Sequence, residues 1–454
     1  MEQSVRDSAQ NLRKVHMISL GCSRNRVDSE VMLGTMMGKG WASTDNPTDA
    51  DAIVINTCGF IASAKEESID TILQAAELKQ TKPDLKVVVT GCLTQRYKTQ
   101  LAKGLPEVDL FIGTDEFTRI GGLLDDMPVP GTVHAKRTHY LYNEEMPRVN
   151  TLAKHSAYVK VAEGCQHNCS FCIIPAIRGR LRSRPVSSVV KEVEALVRSG
   201  VIEVNLIAQD LAAYGRDRDD TSLFDLLKAL VALDGLRWIR CLYVYPEYID
   251  DAFLDFFANE PKIVKYLDIP IQHASDVVLR RMNRDVSSGQ LREILARVRE
   301  RVPGVAIRTS VMVGFPGETE ADFAQLKEFV REQRFRHLGC FAYSQEEGTV
   351  AGRMPDQIDE ATKQARVAEI MEIQQDVSRD VLKQYVGQTL PVLVEGVSAE
   401  TELLWQGRLE IQAPEVDGVV YINDGAVKAG QIQMVRITES HAYDLVGEVV
   451  AEGN

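Results

Sequence analysis

Between residues 15 and about 124, short β-branched runs alternate with amphipathic stretches. VHMISL is followed by a helical pattern over 27–38, DAIVINT by one over 62–79, KVVVT by one over 95–103 and VDLFIG by one over 117–124. Alternation of this kind predicts βαβ units and a parallel sheet covered by helices. From residue 157 six further strand-helix units follow: AYVKVA, IEVNLIA, RWIRCLYVY, VKYLDIPI, AIRTSVMVGF and HLGCFAYS. They predict a partial (βα)6 barrel, too few units to close an eight-stranded one. A helical pattern over 358–385 places Val367, Ile370, Met371, Ile373, Val377, Val381 and Leu382 mostly three or four residues apart. Then come TLPVLVEGV, LLWQGRLEI, GVVYI, IQMVRIT and LVGEVV, the pattern of a small five-stranded antiparallel barrel of the OB-like kind. The fold class is therefore α/β in three parts, with domains at 13–128, 150–384 and 385–454.

Composition narrows the setting. A chain of 454 residues, 44% hydrophobic, has room for three ordinary cores. No run reaches the length of a membrane span, and the segment 1–14 is polar without an apolar stretch, so a cytoplasmic protein with no membrane partner is expected. The net charge of −13, from 52 basic and 65 acidic residues, does not suit a general nucleic-acid binder. From Tyr385 onward three basic residues face eleven acidic ones, a net of −8. That module should repel phosphate backbones and attract a basic partner, so no stable tRNA binding is expected.

Eight cysteines in such a chain point to metal rather than disulfides. Cys165, Cys169 and Cys172 form a C-x3-C-x2-C run directly after the first strand of the central sheet, on its carboxyl-terminal face. Three thiolates so spaced hold three irons of a 4Fe-4S cluster and leave the fourth iron open. A structural zinc loop completed by His167 is the other reading. Cys22, Cys58 and Cys92 each follow a strand of the N-terminal sheet, where parallel strand ends lie side by side, so they converge on a second metal site that also fits a 4Fe-4S cluster. Cys241 and Cys340 lie mid-strand among apolar residues, as core. His273 reads as a proton carrier or as a hydrogen-bonded structural histidine. Gly314, Pro316, Gly317 and Glu318 form a turn in which glycine would let backbone approach a ligand, or a turn only.

Taken together, SLGCSRNRVDSE, INTCGF, EGCQHNCSFCIIPAIRGRLRSRP, IPIQHASDVVLRRMNR and VGFPGETEADF resemble the methylthiotransferases of the radical S-adenosylmethionine (SAM) superfamily over nearly the whole chain. The resemblance implies a radical SAM core preceded by a methylthiotransferase domain and followed by a TRAM domain. It implies two 4Fe-4S clusters and SAM, which is cleaved to a radical at the cluster of Cys165, Cys169 and Cys172. Phe171 would lie near the adenine, and Gly314, Pro316, Gly317 and Glu318 would help hold the cofactor. The Cys22, Cys58 and Cys92 cluster would carry the sulfur. AQDLAAYG and APEVDGVVYI are similar to the branch acting on ribosomal protein S-twelve. That branch implies as substrate an aspartate methylthiolated at its β-carbon, with S-twelve or the small ribosomal subunit as partner and an electron donor such as flavodoxin or ferredoxin. The alternatives are a tRNA adenosine methylthiotransferase and a non-catalytic iron-sulfur carrier.

Overall fold

Strand β1 (Arg13–Ser19) pairs in parallel with both β2 (Trp41–Ser43) and β3 (Ala52–Thr57), and the ladder continues through β4 (Lys86–Gly91), β5 (Leu110–Ile112) and β6 (Thr132–His134). The result is a six-stranded parallel sheet of order β2-β1-β3-β4-β5-β6. Its edge strands, β2 and β6, are three residues each, too short for a periodic pattern to register. The computed structural model describes residues 12–126, 129–137 and 139–450. The end of the first expected domain at 127–128, residues 451–454 and most of the polar segment 1–14 lie outside the described residues.

The first helix begins at Ser23, immediately after Cys22, four residues ahead of where the apolar period starts. Its first turns bury Asn25, Asp28, Ser29 and Glu30 as thoroughly as Val27 and Val31. Polar residues on a buried face hide a helix start from any reading of hydrophobic spacing.

In the central domain β7 (Ser156–Lys160) leads through a short hairpin, β8 (Ala162–Glu163) with β9 (Arg182–Ser183), to β10 (Glu203–Ile207), β11 (Trp238–Cys241), β12 (Ile263–Asp268), β13 (Ala306–Val313) and β14 (His337–Ala342). Their order in the sheet is β14-β13-β12-β11-β10-β7, all parallel, an open (βα)6 arrangement. Alternate residues separate its two faces, as strand geometry requires. Val159, Leu206, Ile239 and Leu267 pack outward under the helices with Val189, Leu226, Leu254 and Phe329. Tyr158, Ile207, Trp238, Val264 and Tyr266 point inward, and share one apolar cluster with Val27 and Val31 of the first domain and Leu393, Leu409 and Val435 of the last.

The C-terminal strands β15 (Thr389–Val397), β16 (Trp405–Leu409), β17 (Val420–Asp424), β18 (Ile432–Ser440) and β19 (Leu445–Val449) close a barrel in the order β15-β16-β17-β19-β18. It is antiparallel apart from the β17–β19 pair, which is parallel and completes the closure. Several acids of this module are paired within the chain. Glu395 and Glu203 clamp Arg408, each at 2.6 Å; Asp417 meets Arg308 at 2.8 Å and the Tyr266 hydroxyl at 2.7 Å; Glu415 meets Arg26 at 2.8 Å. The carbonyls of Glu410 and Ile411 bind Arg240 and His337, both at 2.7 Å. Glu395, Glu415 and Asp417 are thus spent on this chain's own arginines, the last two because residues 410–417 dock on the inner face of the central sheet.

Candidate functional site

Cys22, Cys58 and Cys92 follow β1, β3 and β4, which are neighbours in the first sheet and end level, with Ser19 opposite Asn56 and Thr57 opposite Gly91. Side chains then tie the ends together. Asn25 donates to the carbonyls of Leu20 (3.1 Å) and Thr57 (3.0 Å), and Asn56 donates to the carbonyl of Asn25 at 2.8 Å. Gly21 and Gly91 precede two of the cysteines with φ of 87° and 97°. A Cβ on Gly21 would come within 2.8 Å of the Cys58 Cβ, and one on Gly91 within 2.7 Å of the Thr57 carbonyl. Only glycine permits so close an approach of the strand ends.

Their ionisation reflects one shared, partly buried space. Burial pushes the Cys92 thiol up, against the pull of Arg178, and burial together with Cys92 pushes Cys58 up to about 12. Burial opposes ionisation at Cys22 too, but Arg24, the Asn25 backbone and Arg178 outweigh it and hold that thiol below its ordinary value.

The other set is braced from two sides. Cys165 N–H donates to the Gly179 carbonyl (3.1 Å), Ser170 binds the carbonyls of Met282 (2.9 Å) and Arg281 (2.7 Å), and Asn283 donates to Asn168 at 2.8 Å. Burial pushes Cys165 up to about 11 and Cys172 to about 12. Arg284 points at Cys169 Sγ from 4.0 Å and stacks on Tyr245 at 4.1 Å. His167 is already engaged: its Nε2 pairs with Asp210 at 2.7 Å, and its ring lies 3.9 Å from that of Tyr245. Among the described residues no three or more His, Cys, Asp or Glu are arranged to hold a single metal ion. A cubic cluster is larger than an ion, and sets of thiols alone, with no carboxylate or imidazole among them, suit iron-sulfur chemistry.

Side chains beside each triad cross into the other domain. Arg178, just beyond the second, donates to Cys92 Sγ (3.3 Å) and Asn25 Oδ1 (2.6 Å) of the first domain. It also pairs with Asp28 at 2.8 Å and Glu163 at 3.2 Å, and Lys160 joins both acids. Burial alone would raise the Glu163 carboxyl, but Arg178 and Lys160 hold it well below the usual carboxylate range. Cys92 packs on Ile173 and Ile177 with Phe60 beside them. Arg24 reaches across to the Ala208 carbonyl at 2.8 Å.

Phe171 shares an apolar cluster with Phe315, Val278, Met282 and Tyr343, which brings it to the Gly314–Glu318 turn. That turn is held by the protein itself. Glu318 accepts from Phe315 N–H at 3.1 Å and pairs with Arg366 at 2.9 Å, and its burial pushes the carboxyl up to about 7. A Cβ on Gly317 would lie 2.6 Å from Arg281 Cζ. His273 is fully buried, accepts from Ser275 N–H at 2.9 Å, lies 3.7 Å from Glu318, and is pushed down to about 3 by burial, which favours the neutral ring. Cys241 is core. Sequence reasoning marks Asp210 and Tyr245 as notable strand-end residues of this face but misses Arg24, Arg178 and Arg284; the signal was adjacency, since Arg24 and Arg178 lie within the two longest cysteine motifs.

Residues 14–113 match the uncharacterized protein family UPF0004, 159–330 the radical SAM superfamily and 386–450 the TRAM domain. The chain is 50% identical over 446 residues to the ribosomal protein uS12 methylthiotransferase RimO of Anaeromyxobacter sp. (strain Fw109-5), covering 96% of this chain and 93% of that one. It is 49% identical to the protein of the same name from Myxococcus xanthus, covering 96% and 92%, and 48% identical to that of Bdellovibrio bacteriovorus, covering 98% and 99%. Among solved structures, the radical SAM methyltransferase TsrM of Kitasatospora setae aligns with a TM-score of 0.52 at 15% identity, over 73% of this chain and 75% of that one. The cobalamin-dependent radical SAM enzyme OxsB aligns at 0.51 and 12% identity, over 80% and 56%. These two show the fold alone.

Proposed function

The chain belongs to the RimO family of radical SAM methylthiotransferases, and on that premise we propose that it methylthiolates the β-carbon of an aspartate in ribosomal protein uS12, using SAM and two 4Fe-4S clusters. The parts divide as a methylthiotransferase domain at 13–128, a radical SAM core at 150–384 and a TRAM domain at 385–454. Cys165, Cys169 and Cys172 would hold one cluster and Cys22, Cys58 and Cys92 the other. Phe171 and the Gly314, Pro316, Gly317 and Glu318 turn would face SAM. When bound, these groups supply the electron, the radical that breaks an unactivated C–H bond, and the methylated sulfur, none of which side chains provide.

The residues of the chain position and shield that chemistry. The observation that carries the reading is that Arg178 beside one triad and Arg24 beside the other each reach into the opposite domain, which brings the two thiol sets near one another; transfer from one centre to a carbon opened by the other requires both within reach of one substrate atom. Arg178 places a positive charge against Cys92, where a thiolate ligand would need it. Ile173, Ile177 and Phe60 keep water from Cys92. Asp210 and Tyr245 lock His167 beside the second triad.

The test is anaerobic turnover of the reconstituted enzyme with SAM, sulfide, a reductant such as reduced flavodoxin or ferredoxin, and either uS12 or tRNA. Mass spectrometry should find a methylthio group on one aspartate of uS12. Methylthioadenosine in the tRNA with uS12 unchanged would transfer the assignment to the tRNA branch. SAM left uncleaved under reducing conditions would leave only an iron-sulfur carrier.

A further inference from the structure

Four guanidinium groups stand around the two triads, and they are not alike. Arg96 is paired with Glu346 at 2.7 Å, and Arg178 with Asp28 and Glu163. Arg284 donates to the Pro270 carbonyl at 2.6 Å and lies against Cys169, on the side of the triad expected to serve SAM. Arg24 is the one on the Cys22 side with no carboxylate within 4.0 Å, among the described residues. The nearby acid Asp268 is committed elsewhere: it accepts from Tyr243 N–H at 3.1 Å and faces Arg308 at 3.7 Å.

Arg24 is nevertheless held firmly. Its Nη1 donates to the Ala208 carbonyl at 2.8 Å, and its guanidinium carbon lies 4.4 Å from the Tyr243 ring centroid. Tyr243 adopts a φ of 62°, a left-handed conformation that is strained for a non-glycine residue. Such strain persists only where surrounding structure imposes it, and it gathers at sites of function. The half-buried guanidinium follows Cys22 by two residues and reaches Ala208 of the central domain, which sets it where the two domains meet beside the Cys22 triad. Five N–H donors are available to an arginine, and the carbonyl and Cys22 do not use them all. A planar cation held over an aromatic ring and by a backbone carbonyl, with donors to spare and no acid of its own, is suited to a bidentate carboxylate.

We propose that Arg24, held over the Tyr243 ring, binds the carboxylate of the substrate's acidic side chain and so sets the adjacent carbon between the two triads. This rests on the uS12 reading, in which the reacting β-carbon is one bond from that carboxylate. Anchoring the carboxylate restrains the carbon to a small arc, and it makes the site discriminate a carboxylate from an amide. Arg24 is a specificity-determining residue on this account.

The test measures binding of two fluorescent peptides spanning the substrate loop of uS12, one with the target aspartate and one with asparagine in its place, to the reconstituted full chain. The wild type should prefer the aspartate peptide by about tenfold or more, the scale of hydrogen bonds to a charged group. Arg24→Met should erase the preference, and Arg24→Lys should keep part of it. Equal binding of the two peptides by wild type overturns the proposal, as does an undiminished preference in Arg24→Met. Loss of iron, or of SAM binding as large as the loss of peptide binding, in Arg24→Met would give the residue to the cluster or the cofactor and overturn it likewise. If wild-type enzyme modifies neither peptide nor intact uS12, the uS12 reading itself fails; if it modifies the aspartate peptide yet binds both alike, only the role of Arg24 falls.

Discussion

Arg178 lies six residues beyond Cys172 in the chain, yet its Nη2 donates to Cys92 Sγ of the other domain at 3.3 Å. Through that contact the loop carrying one triad is fastened to the wall of the other. The same guanidinium stands between Asp28 and Glu163, so three elements from two domains meet on one buried charge.

Replacing Arg178 with Gln should therefore weaken the domain interface more than any single apolar contact. Two buried carboxylates would be left to share Lys160, and removing one partner of a buried ionic group costs about 3–5 kcal/mol. Urea denaturation of the metal-free protein measures it, with Arg178→Lys expected to recover part of the loss. A change within about 0.5 kcal/mol would mean that the network is not closed in solution.

Each triad should account for half of the iron. Ala at Cys165, Cys169 and Cys172 together should halve reconstituted iron and abolish reductive SAM cleavage. Ala at Cys22, Cys58 and Cys92 should halve the iron and leave that cleavage in place. Full iron in the second variant would remove the N-terminal cluster from the proposal.

The docking of the C-terminal barrel should be sensitive to acid. Burial would raise the Glu203 carboxyl, but Arg408 and Arg240 outweigh it and bring it from 4.5 to about 2. A carboxyl depressed on folding stabilises above its unfolded value and loses that contribution as pH falls through the folded one. The loss should run from about pH 4.5 down to about pH 2 and total on the order of 3 kcal/mol. Arg408→Met should shrink this pH-dependent part, and thermal melts at pH 3 and pH 7 compare the two proteins. Identical pH dependence in both would show that the pair does not govern docking.

Acidic residues of the C-terminal module should fall into two groups. Glu400 and Glu402 are exposed, and their joint change to Lys should leave stability within about 0.5 kcal/mol while slowing association with a basic partner in a salt-dependent way. Asp417, whose side chain is 2% exposed and held by Arg308 and Tyr266, should destabilise the protein by several times more when changed to Asn. Stopped-flow binding and denaturation separate the effects, and equal destabilisation by both would contradict the docking seen here.

The sequence by itself determined the three parts, the parallel strands of the first two sheets, and the two sets of three cysteines proposed to hold the clusters. Strand alternation, helical period and the C-x3-C-x2-C spacing are local properties, and a cysteine at a strand end in a parallel sheet has a known place. It did not reveal that the first helix starts at Ser23, because Asn25 and Asp28 are buried against charged partners from another domain rather than against apolar ones. Nor did it reveal that the acidic barrel spends Glu395, Glu415 and Asp417 on internal arginines, since net charge records sign and not pairing. Only the tertiary structure decided which way the two sheets face. That choice rests on contacts such as Arg178 with Cys92 and Arg24 with Ala208, whose partners are 86 and 184 residues apart and carry no periodic signal in the chain.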